Sequence, residues 1–179
     1  MPKSEIFIGV LSGTSADSID ALLIDFSKSD KVINRFSKKI PVEIKNKIFE
    51  LVLNEQVHNY SKKQKELDLI LGELISNCIN QLIKKTKIDR KKIKAIGSHG
   101  QTIKHNSSIK NPFSLQIGNP ELISKLTGIK VIYGFRQSDI ANGGIGAPLT
   151  PAFHNEFMSK AKVNRAIVNI GRITNITLL

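Results

Sequence analysis

Residues 6–26 read IFIGVLSGTSADSIDALLIDF, two apolar runs separated by a polar loop. The first run extends from Ile6 to Leu11, and the loop occupies Ser12 to Asp17. The second run, Ala21 to Phe26, follows almost directly. Runs of β-forming residues on either side of a short loop that contains glycine predict a β-hairpin.

The loop of this hairpin contains more polar groups than an ordinary turn requires. Gly13 lets the backbone approach an anion because no Cβ stands in the way. Its neighbours Ser12, Thr14 and Ser15 add hydroxyl donors and backbone N–H groups, which together suit a phosphate-binding nest. The alternative is an ordinary hairpin turn whose hydroxyls face water, since short motifs of this kind often match by chance.

Two carboxylates follow at the end of the same loop. Asp17 and Asp20 are placed to hold a hydrated Mg²⁺, which prefers one or two carboxylates together with phosphate oxygens. The histidines and nearby acids do not have the spacing of a zinc site, so the sequence disfavours a metal-dependent hydrolase. The first hairpin is therefore a candidate site for a phosphate with its magnesium ion.

The charge balance is basic but does not favour nucleic-acid binding. The chain has 179 residues, and its net charge of +12 comes from 27 Lys and Arg against 15 Asp and Glu. Most of the excess is Lys spread along predicted helices and loops. Aromatic residues make up 6% and Trp is absent, so platforms for stacking on bases are sparse. We interpret the basic residues as a solvated surface.

The sequence favours a cytoplasmic protein with no membrane association. Cys78 is the only cysteine and falls in an apolar helical pattern, so neither a disulfide framework nor a cysteine-based metal site is available. No signal-peptide pattern begins the sequence. No apolar run approaches the roughly 20 residues that span a bilayer.

After the first hairpin, the pattern predicts a third strand and two helices. Residues 32–36 extend the hairpin into an antiparallel meander. Pro41 suits the first turn of one helix, and Ser61 suits the N-cap of a longer one that runs to about Lys87. The longer helix has an apolar stripe that predicts a core face, made of Leu67, Ile70, Leu71, Leu74, Ile75, Cys78, Ile79 and Leu82.

A polar segment follows the next predicted strand, residues 93–96. Gly97 and Gly100 lie within it, and polar residues around glycines at the end of a strand indicate a site loop. His99 and Gln101 in this segment suit hydrogen bonds to a sugar or to a phosphate. The alternative is a polar turn whose side chains bond to one another.

The next segment predicts a strand, a helix and a strand at residues 113–117, 121–126 and 130–135. Such a unit implies a right-handed crossover between two parallel strands. Residues 136–148 then read RQSDIANGGIGAP, a glycine-rich loop whose backbone can wrap closely around a ligand.

Two charged residues begin that glycine-rich loop. Arg136 suits a carboxylate or phosphate, which its guanidinium can bind in bidentate fashion. Asp139 can orient this arginine or accept a hydrogen bond from a sugar hydroxyl. The alternative is an Arg–Asp surface pair beside a flexible loop. A short helix from Pro148 to Met158 is expected to follow.

The end of the chain repeats the pattern of its start. Apolar runs at residues 163–170 and 173–179 flank a turn at Gly171 and Arg172, which predicts a second hairpin. The segment VNIGRITN echoes IGVLSGTS of the first hairpin, a weak internal repeat.

Five motifs in order resemble the anhydro-N-acetylmuramic acid kinase family. They are SGTSAD at 12–17, GSHGQT at 97–102, LQIGNP at 115–120, the segment 135–148, and VNIG at 168–171 with Asn175 and Ile176. The resemblance covers essentially the whole chain but only the N-terminal half of the family's usual length. It implies the α/β, RNase H-like fold of the actin, hexokinase and Hsp70 superfamily, with a mixed sheet and flanking helices. It places one lobe at residues 1–160 and the first hairpin of a second, truncated lobe at 161–179.

The resemblance also implies a function. Family members are ATP-dependent kinases that convert 1,6-anhydro-N-acetylmuramic acid and water to N-acetylmuramic acid 6-phosphate in cell-wall recycling. The implied cofactors are ATP and Mg²⁺, with Asp17 and Asp20 toward the metal. The implied ATP-binding residues are Gly13, Thr14, Ser15, Ala16, Asp17, Ser18, Ile19, Asp20 and Gly171. The implied residues for the amino-sugar substrate are His99, Gln101, Arg136 and Asp139.

The chain departs from the family pattern at three positions. Ser18 and Arg172 stand where the family usually has glycine, and Gly134 stands where it usually has aspartate. The family's catalytic Asp lies beyond Leu179, so the resemblance carries no catalytic residue onto this chain. A positioned base contributes a factor on the order of 10²–10⁴. We therefore expect little or no kinase activity from this chain alone.

Two other functions remain open from the sequence. One is a non-catalytic remnant that binds sugar or forms a homodimer. The other is a basic nucleic-acid-binding protein, which would show steeply salt-dependent binding to DNA or RNA.

Overall fold

A computed structural model describes residues 5–27, 31–53, 61–170 and 174–179. The fold is α/β, a mixed sheet with flanking helices, as expected. Among the described residues, six strands form the main sheet: β1 (Ile6–Ser12), β2 (Ser18–Asp25), β3 (Lys31–Lys39), β4 (Ile93–Asn106), β5 (Phe113–Ile117) and β6 (Val131–Ile132). The helices are α1 (Val42–Leu53), α2 (Lys62–Thr86), α3 (Pro120–Thr127), α4 (Phe135–Ala141) and α5 (Thr150–Met158). A separate two-stranded sheet contains β7 (Ala166–Asn169) and β8 (Asn175–Leu178).

The predicted first hairpin and meander are confirmed. β1 and β2 pair antiparallel, with Ser12 opposite Ile19, and β3 continues antiparallel beyond β2. Alternate residues of β1 and β2 point into the core, and they are Ile6, Ile8, Val10, Ile19, Ala21 and Leu23. The period of two that predicted these strands therefore also identifies their buried face.

α2 supplies the other side of the core. It begins at Lys62, directly after Ser61, whose hydroxyl accepts a hydrogen bond from Gln64 N at 3.2 Å, so the predicted cap is confirmed. The buried part of the predicted stripe includes Leu67, Leu71, Ile75 and Leu82. The sequence also predicts a break between the two helices at residues 54–59 and a turn at residues 27–30. Residues 54–59 and 28–30 lie outside the described residues.

The prediction of a short strand followed by a site loop at residues 97–105 is wrong. β4 is a single strand of 14 residues. It continues because it has partners on both edges: β1 runs parallel along one edge, and β5 runs antiparallel to its second half along the other. Between the pairs Val10–Ser98 and Ser12–Gln101, β4 contains one extra residue, which is a β-bulge with Gly100 at φ 71°.

The strand–helix–strand prediction is correct in order but wrong in pairing. β6 has two residues rather than six, and its parallel partner is β4 rather than β5. α3 ends as predicted at Gly128, which adopts φ 69°. β5 and β6 thus pair with different stretches of β4, at residues 101–106 and 96–97.

The glycine-rich loop begins later than predicted. Residues 135–141 form α4, so Arg136 and Asp139 are helical. The predicted short helix is confirmed as α5, where the Phe157 ring lies 5.9 Å from that of Phe26 at the end of β2. The predicted second hairpin is also confirmed as β7 and β8, although its turn residues Gly171 and Arg172 lie outside the described residues.

Candidate functional site

The loop between β1 and β2 is open to solvent at the residues predicted to bind phosphate. Gly13, Thr14, Ser15 and Asp17 are exposed. A Cβ built on Gly13 meets nothing closer than Ser15 Oγ at 4.0 Å, so the space above the glycine is open. One amide is already used, because Ala16 N donates to Gly13 O at 3.0 Å. The remaining loop residues present exposed hydroxyl groups and backbone to solvent, and groups of this kind can bind phosphate oxygens.

Other residues in the implied ATP set lie deeper. The side chains of Ala16 and Ile19 are fully buried, and Ile19 is part of the β1–β2 ladder. Ser18 Oγ donates a hydrogen bond to Asp20 Oδ2 at 3.0 Å. Gly171 lies outside the described residues. Direct contact with a ligand is therefore open to the tip of the loop rather than to its whole length.

The two candidate magnesium ligands have different partners. Asp17 forms an ion pair of 2.5 Å with Lys45 on α1. Hydrogen bonds from Lys45 and Ser15, with the Lys45 charge, lower the pKa of Asp17. Asp20 lies on the open face of the sheet. Lys45 is a functional candidate that the sequence did not identify, because nothing distinguishes it from the other lysines until α1 folds against the loop.

Gln101, a predicted sugar-site residue, lies buried beneath the loop. Its side chain is 1% exposed, and its Oε1 accepts a hydrogen bond of 2.6 Å from Ser12 Oγ. Its amide nitrogen donates to Thr102 O at 3.2 Å. This pair connects the last residue of β1 to β4 just after the bulge, and it holds the start of the loop against the strand that carries His99.

His99, Arg136 and Asp139 come together although they are far apart in sequence. Arg136 Nε donates to His99 Nε2 at 2.8 Å, and its Nη1 donates to Gly146 O at 2.8 Å. Gly146 N in turn donates to Asp139 Oδ2 at 2.8 Å. Asp139 therefore acts on the arginine through Gly146, since the described residues contain no ion pair between the two side chains.

These contacts assign the protonation of His99. Its Nε2 accepts from Arg136, so the ring proton is on Nδ1, which donates to Gly100 O at 3.1 Å. Burial and the nearby Arg136 charge lower the pKa of His99. The same two causes lower the pKa of His105, whose Nδ1 lies 3.2 Å from Ser114 Oγ. The arginine is thus held by neutral acceptors, and no carboxylate among the described residues forms an ion pair with it.

Two of the three glycines after α4, Gly144 and Gly146, contact Asp139. A Cβ on Gly144 would lie 2.1 Å from Asp139 Oδ2, so only glycine fits beside that carboxylate. Gly144 N also donates to Asp139 O at 2.9 Å. The backbone of this loop therefore approaches the Asp139 carboxylate closely, and the predicted wrapping around a ligand stays a prediction.

Two cavities border His99. The larger, about 800 Å³, lies on the open sheet face and is lined by residues that include Leu11, Asp20, Leu22, Arg35 and Phe135. The smaller, about 430 Å³, lies at the edge of β4 near Ser98, Asn119 and Tyr133. Among the described residues, no three potential protein ligands are grouped to hold a metal ion, and none of the described helices is long and apolar enough to cross a bilayer.

Comparisons with known proteins point in one direction. The family model for anhydro-N-acetylmuramic acid kinase matches residues 5–179. A protein of that name from Coxiella burnetii (strain RSA 493 / Nine Mile phase I) is 44% identical over 179 residues, which are 100% of this chain and 47% of the relative. The proteins of that name from Shewanella woodyi and Shewanella denitrificans are 42% and 43% identical over 180 residues, 48% of each relative and 99% and 100% of this chain. The chain spans about half the length of these relatives.

Proposed function

The chain belongs to the anhydro-N-acetylmuramic acid kinase family, and we propose that it carries the phosphate loop and part of the sugar site of such a kinase. The proposed reaction is ATP-dependent: water opens the 1,6-anhydro ring of anhydro-N-acetylmuramic acid, and O6 receives the phosphoryl group. Residues 1–160 would form one lobe. Residues 161–179 would begin a second, and the separate β7–β8 sheet supports that division.

The exposed tip of the first hairpin fits the phosphates of ATP. The open space over Gly13 admits an anion close to the backbone, and Thr14 and Ser15 offer hydroxyl donors. Lys45 Nζ, at 2.5 Å from Asp17, supplies a positive charge beside the loop. These residues would bind and orient the phosphate chain.

Asp17 and Asp20 fit a hydrated magnesium ion by the chemistry of their oxygen donors. A bound magnesium ion would supply charge neutralisation at the phosphates. To contribute a ligand, Asp17 would exchange its ion pair with Lys45, which frees the ammonium to contact phosphate oxygens. The Asp17–Lys45 pair therefore holds both groups near the loop before ligand arrives.

Arg136 fits the carboxylate of the lactyl group that distinguishes muramic acid from other amino sugars. Its guanidinium is half-buried, and within the described part of the chain it donates to two neutral acceptors and forms no ion pair, which leaves other N–H groups for a ligand. Charge-assisted bonds from arginine to carboxylate are among the strongest that a site of this kind can make. His99 and Gly146 would position the guanidinium, and Asp139 would hold Gly146.

The observation that carries this proposal is the Ser12–Gln101 hydrogen bond. It joins the phosphate loop to the strand that bears His99, so one sheet holds the candidate sites for both reactants. The geometry thus supports a site that brings a phosphate donor and a sugar acid to the same end of the parallel pair β1–β4.

Calorimetric titration of the 179-residue chain with 1,6-anhydro-N-acetylmuramic acid tests the proposal. We expect binding by the native chain and a loss of at least about tenfold in Arg136→Ala, since a hydrogen-bonded charge is removed. Arg165→Ala is the matched control, because Arg165 also donates to a backbone carbonyl but lies beside the second hairpin. Absence of binding by the native chain, or equal losses in both variants, would contradict the proposal.

A further inference from the structure

Positive charge is concentrated at one end of the main sheet. Residues 84–94 read KKTKIDRKKIK and contain seven Lys and Arg against one Asp. They join the end of α2 to the start of β4, and the connection includes a short 3₁₀ helix, Arg90–Lys92. The sequence shows this basic run, but it does not show that a second basic segment lies beside it.

The end of α3 supplies the second segment. Arg90 Nη1 donates to Thr127 O at 2.7 Å, and Asn80 Nδ2 donates to Leu126 O at 3.4 Å. These bonds hold residues 125–130 against the end of α2. The exposed cations of the two segments form a cluster that we call the basic end, made of Lys84, Lys87, Arg90, Lys91, Lys92, Lys125 and Lys130.

The charge of the basic end is not neutralised by neighbouring carboxylates. Lys94 pairs with Glu5, and Lys85 Nζ lies 4.4 Å from the ring centre of Phe36, so neither lysine is counted in the basic end. The Asp89 side chain caps the 3₁₀ helix by accepting a backbone N–H at 3.0 Å. In the described parts of the chain, none of the seven cations forms an ion pair with a carboxylate.

Helix stabilisation accounts for only part of this charge. Lys84 and Lys125 lie in the last turns of α2 and α3, where the helix dipole favours a cation. Lys91, Lys92 and Lys130 lie outside the α-helices, so the dipoles give no reason for their charge. Like charges gathered in one place repel one another and destabilise the compact state, and an anionic partner relieves that repulsion.

The basic end lies opposite the candidate functional site. β1 and β4 run parallel from Ile6 and Ile93, beside the basic end, to Ser12 and Gln101, beside the phosphate loop. The seven residues of β1 separate these two ends by about 20 Å. A partner bound at the basic end therefore leaves the candidate site open to its reactants.

The composition of the basic end favours a lipid surface over a nucleic acid. Six of its seven cations are Lys, and residues 84–94 and 125–130 include no aromatic residue that could stack on bases. Leu126 is 45% exposed beside the lysines, and an apolar side chain gains free energy at the boundary between headgroups and acyl chains. Lys84, Lys87 and Arg90 also line one cavity, of about 550 Å³, which has room for a headgroup phosphate.

We infer that the basic end docks the chain on the surface of anionic phospholipid bilayers. Clusters of about four to eight Lys and Arg are typical of surfaces that bind anionic lipid. This function is separate from the proposed kinase reaction and does not rest on it. It differs from the sequence-based expectation of no membrane association, because that expectation considered spanning segments and not the distribution of charge in the folded chain.

Co-sedimentation of the chain with lipid vesicles tests the inference. One set of vesicles contains phosphatidylglycerol and phosphatidylcholine in equal amounts, and the reference set contains phosphatidylcholine alone. The test variant combines Lys84→Gln, Lys91→Gln and Lys92→Gln, which keep the size of the exposed side chains and remove their charge. Each lysine near an anionic bilayer contributes about fivefold to the partition coefficient.

The matched control combines Lys62→Gln, Lys63→Gln and Lys65→Gln, which remove the same charge from exposed positions at the start of α2. Thermal unfolding should be nearly the same for the native chain and both variants, because all six side chains are exposed. At low salt we expect the native chain to bind the anionic vesicles and not the reference vesicles. The test variant should lose at least about tenfold in partitioning and the control less than about threefold.

Three results would overturn the inference. The first is no binding of the native chain to the anionic vesicles, and the second is an equal loss in the two variants. The third is tighter binding to a short DNA duplex than to the vesicles at the same salt concentration, which would assign the basic end to nucleic acid. None of these results bears on the kinase proposal, because the sugar titration contains no vesicles.

Discussion

The first and last hairpins have the same sequence pattern but opposite environments. In β1 and β2 the inward-facing residues are at most 6% exposed, and they include Ile8, Ile19 and Leu23. In the last hairpin Val168 is 51% exposed and Leu178 is 80% exposed. Both pairs form the expected antiparallel ladder, so the pattern of apolar residues specifies strands without specifying what covers them.

The difference between the hairpins comes from their neighbours. The first hairpin has β4 along one edge, β3 along the other, and α2 across its buried face. The last hairpin is attached more lightly: His154 Nδ1 on α5 lies 2.9 Å from Thr177 Oγ1, and Arg165 Nη1 donates to Met158 O at the end of α5 at 2.6 Å. The first hairpin should therefore respond strongly to truncated side chains, and the last should hardly respond.

The largest difference in stability is expected when the same truncation, Leu to Ala, is made in each of the two hairpins. Leu23→Ala should lower the free energy of unfolding by about 3 kcal/mol, because it leaves a cavity in a closed core. Leu178→Ala should lower it by less than about 0.5 kcal/mol, because its side chain already meets water. Urea denaturation followed by circular dichroism measures both. Similar losses would show that the hairpins are equally packed.

A second pair of variants tests how tightly the bulge of β4, beside the first hairpin, is packed. Gly100 and Gly128 both have positive φ, but a Cβ on Gly100 would lie 2.5 Å from Ile117 O, whereas nothing lies within 4 Å of a Cβ on Gly128. Gly128→Ala should cost about 1 kcal/mol for the left-handed backbone. Gly100→Ala should cost about 2 kcal/mol more, because the added methyl overpacks against backbone. Equal costs in chemical denaturation would mean that the bulge relaxes freely.

The next largest effect on stability is expected from the hydrogen bond that joins the first hairpin to β4. Ser12→Ala removes the donor to Gln101 Oε1 and leaves a buried amide oxygen unpaired, so we expect a loss of about 1.5 kcal/mol in stability. Ser108→Ala is the control and should change stability by less than about 0.5 kcal/mol, because Ser108 is exposed. A Ser12→Ala chain as stable as the control would show that this bond contributes nothing to the joining of the two strands.

The smallest effect concerns pH. The pKa of His99 is lowered in the folded chain by burial and by Arg136, and the pKa of His105 is lowered by the same causes. At pH values between these lowered pKa values and the value of about 6.5 in the unfolded chain, the unfolded chain binds more protons than the folded chain. Stability should therefore be complete above about pH 6.5 and should fall as the pH decreases below it.

Thermal melts from pH 8 down to about pH 5 measure this dependence. His99→Asn keeps a possible acceptor for Arg136 but removes the titrating group, so its melting temperature should depend less on pH in this range than that of the native chain. An unchanged pH profile in His99→Asn would contradict the assignment of a neutral His99.

Much of the fold can be predicted from local sequence pattern. The parts that cannot be predicted in this way have one cause in common. The meander, the capped helix α2 and both hairpins were predicted correctly because alternation, helical periodicity and caps are local properties. The sequence pattern predicts a loop at residues 97–105, but pairing with β1 and β5 makes these residues part of strand β4. The pattern also predicts a loop at Arg136, because the glycines that follow α4 favour a loop and this helix has only seven residues.

The candidate site shows the same limit. The sequence pointed to Gly13, His99 and Arg136, whose chemistry is evident from residue type and spacing. It did not reveal that Gln101 faces Ser12, or that Lys45 approaches Asp17, because both contacts join residues distant in sequence. The roles assigned to these residues in ligand binding stay predictions until the titrations are made.

By itself, the sequence determined the family and most of the strands and helices in their order, because periodicity, caps and motif spacing are properties of neighbouring residues. Tertiary structure alone decided which face of each strand is covered, where β4 bulges, and which acceptors hold Arg136. Those outcomes depend on pairing and packing between segments that are tens of residues apart in sequence. A pattern of neighbouring residues carries no information about such contacts.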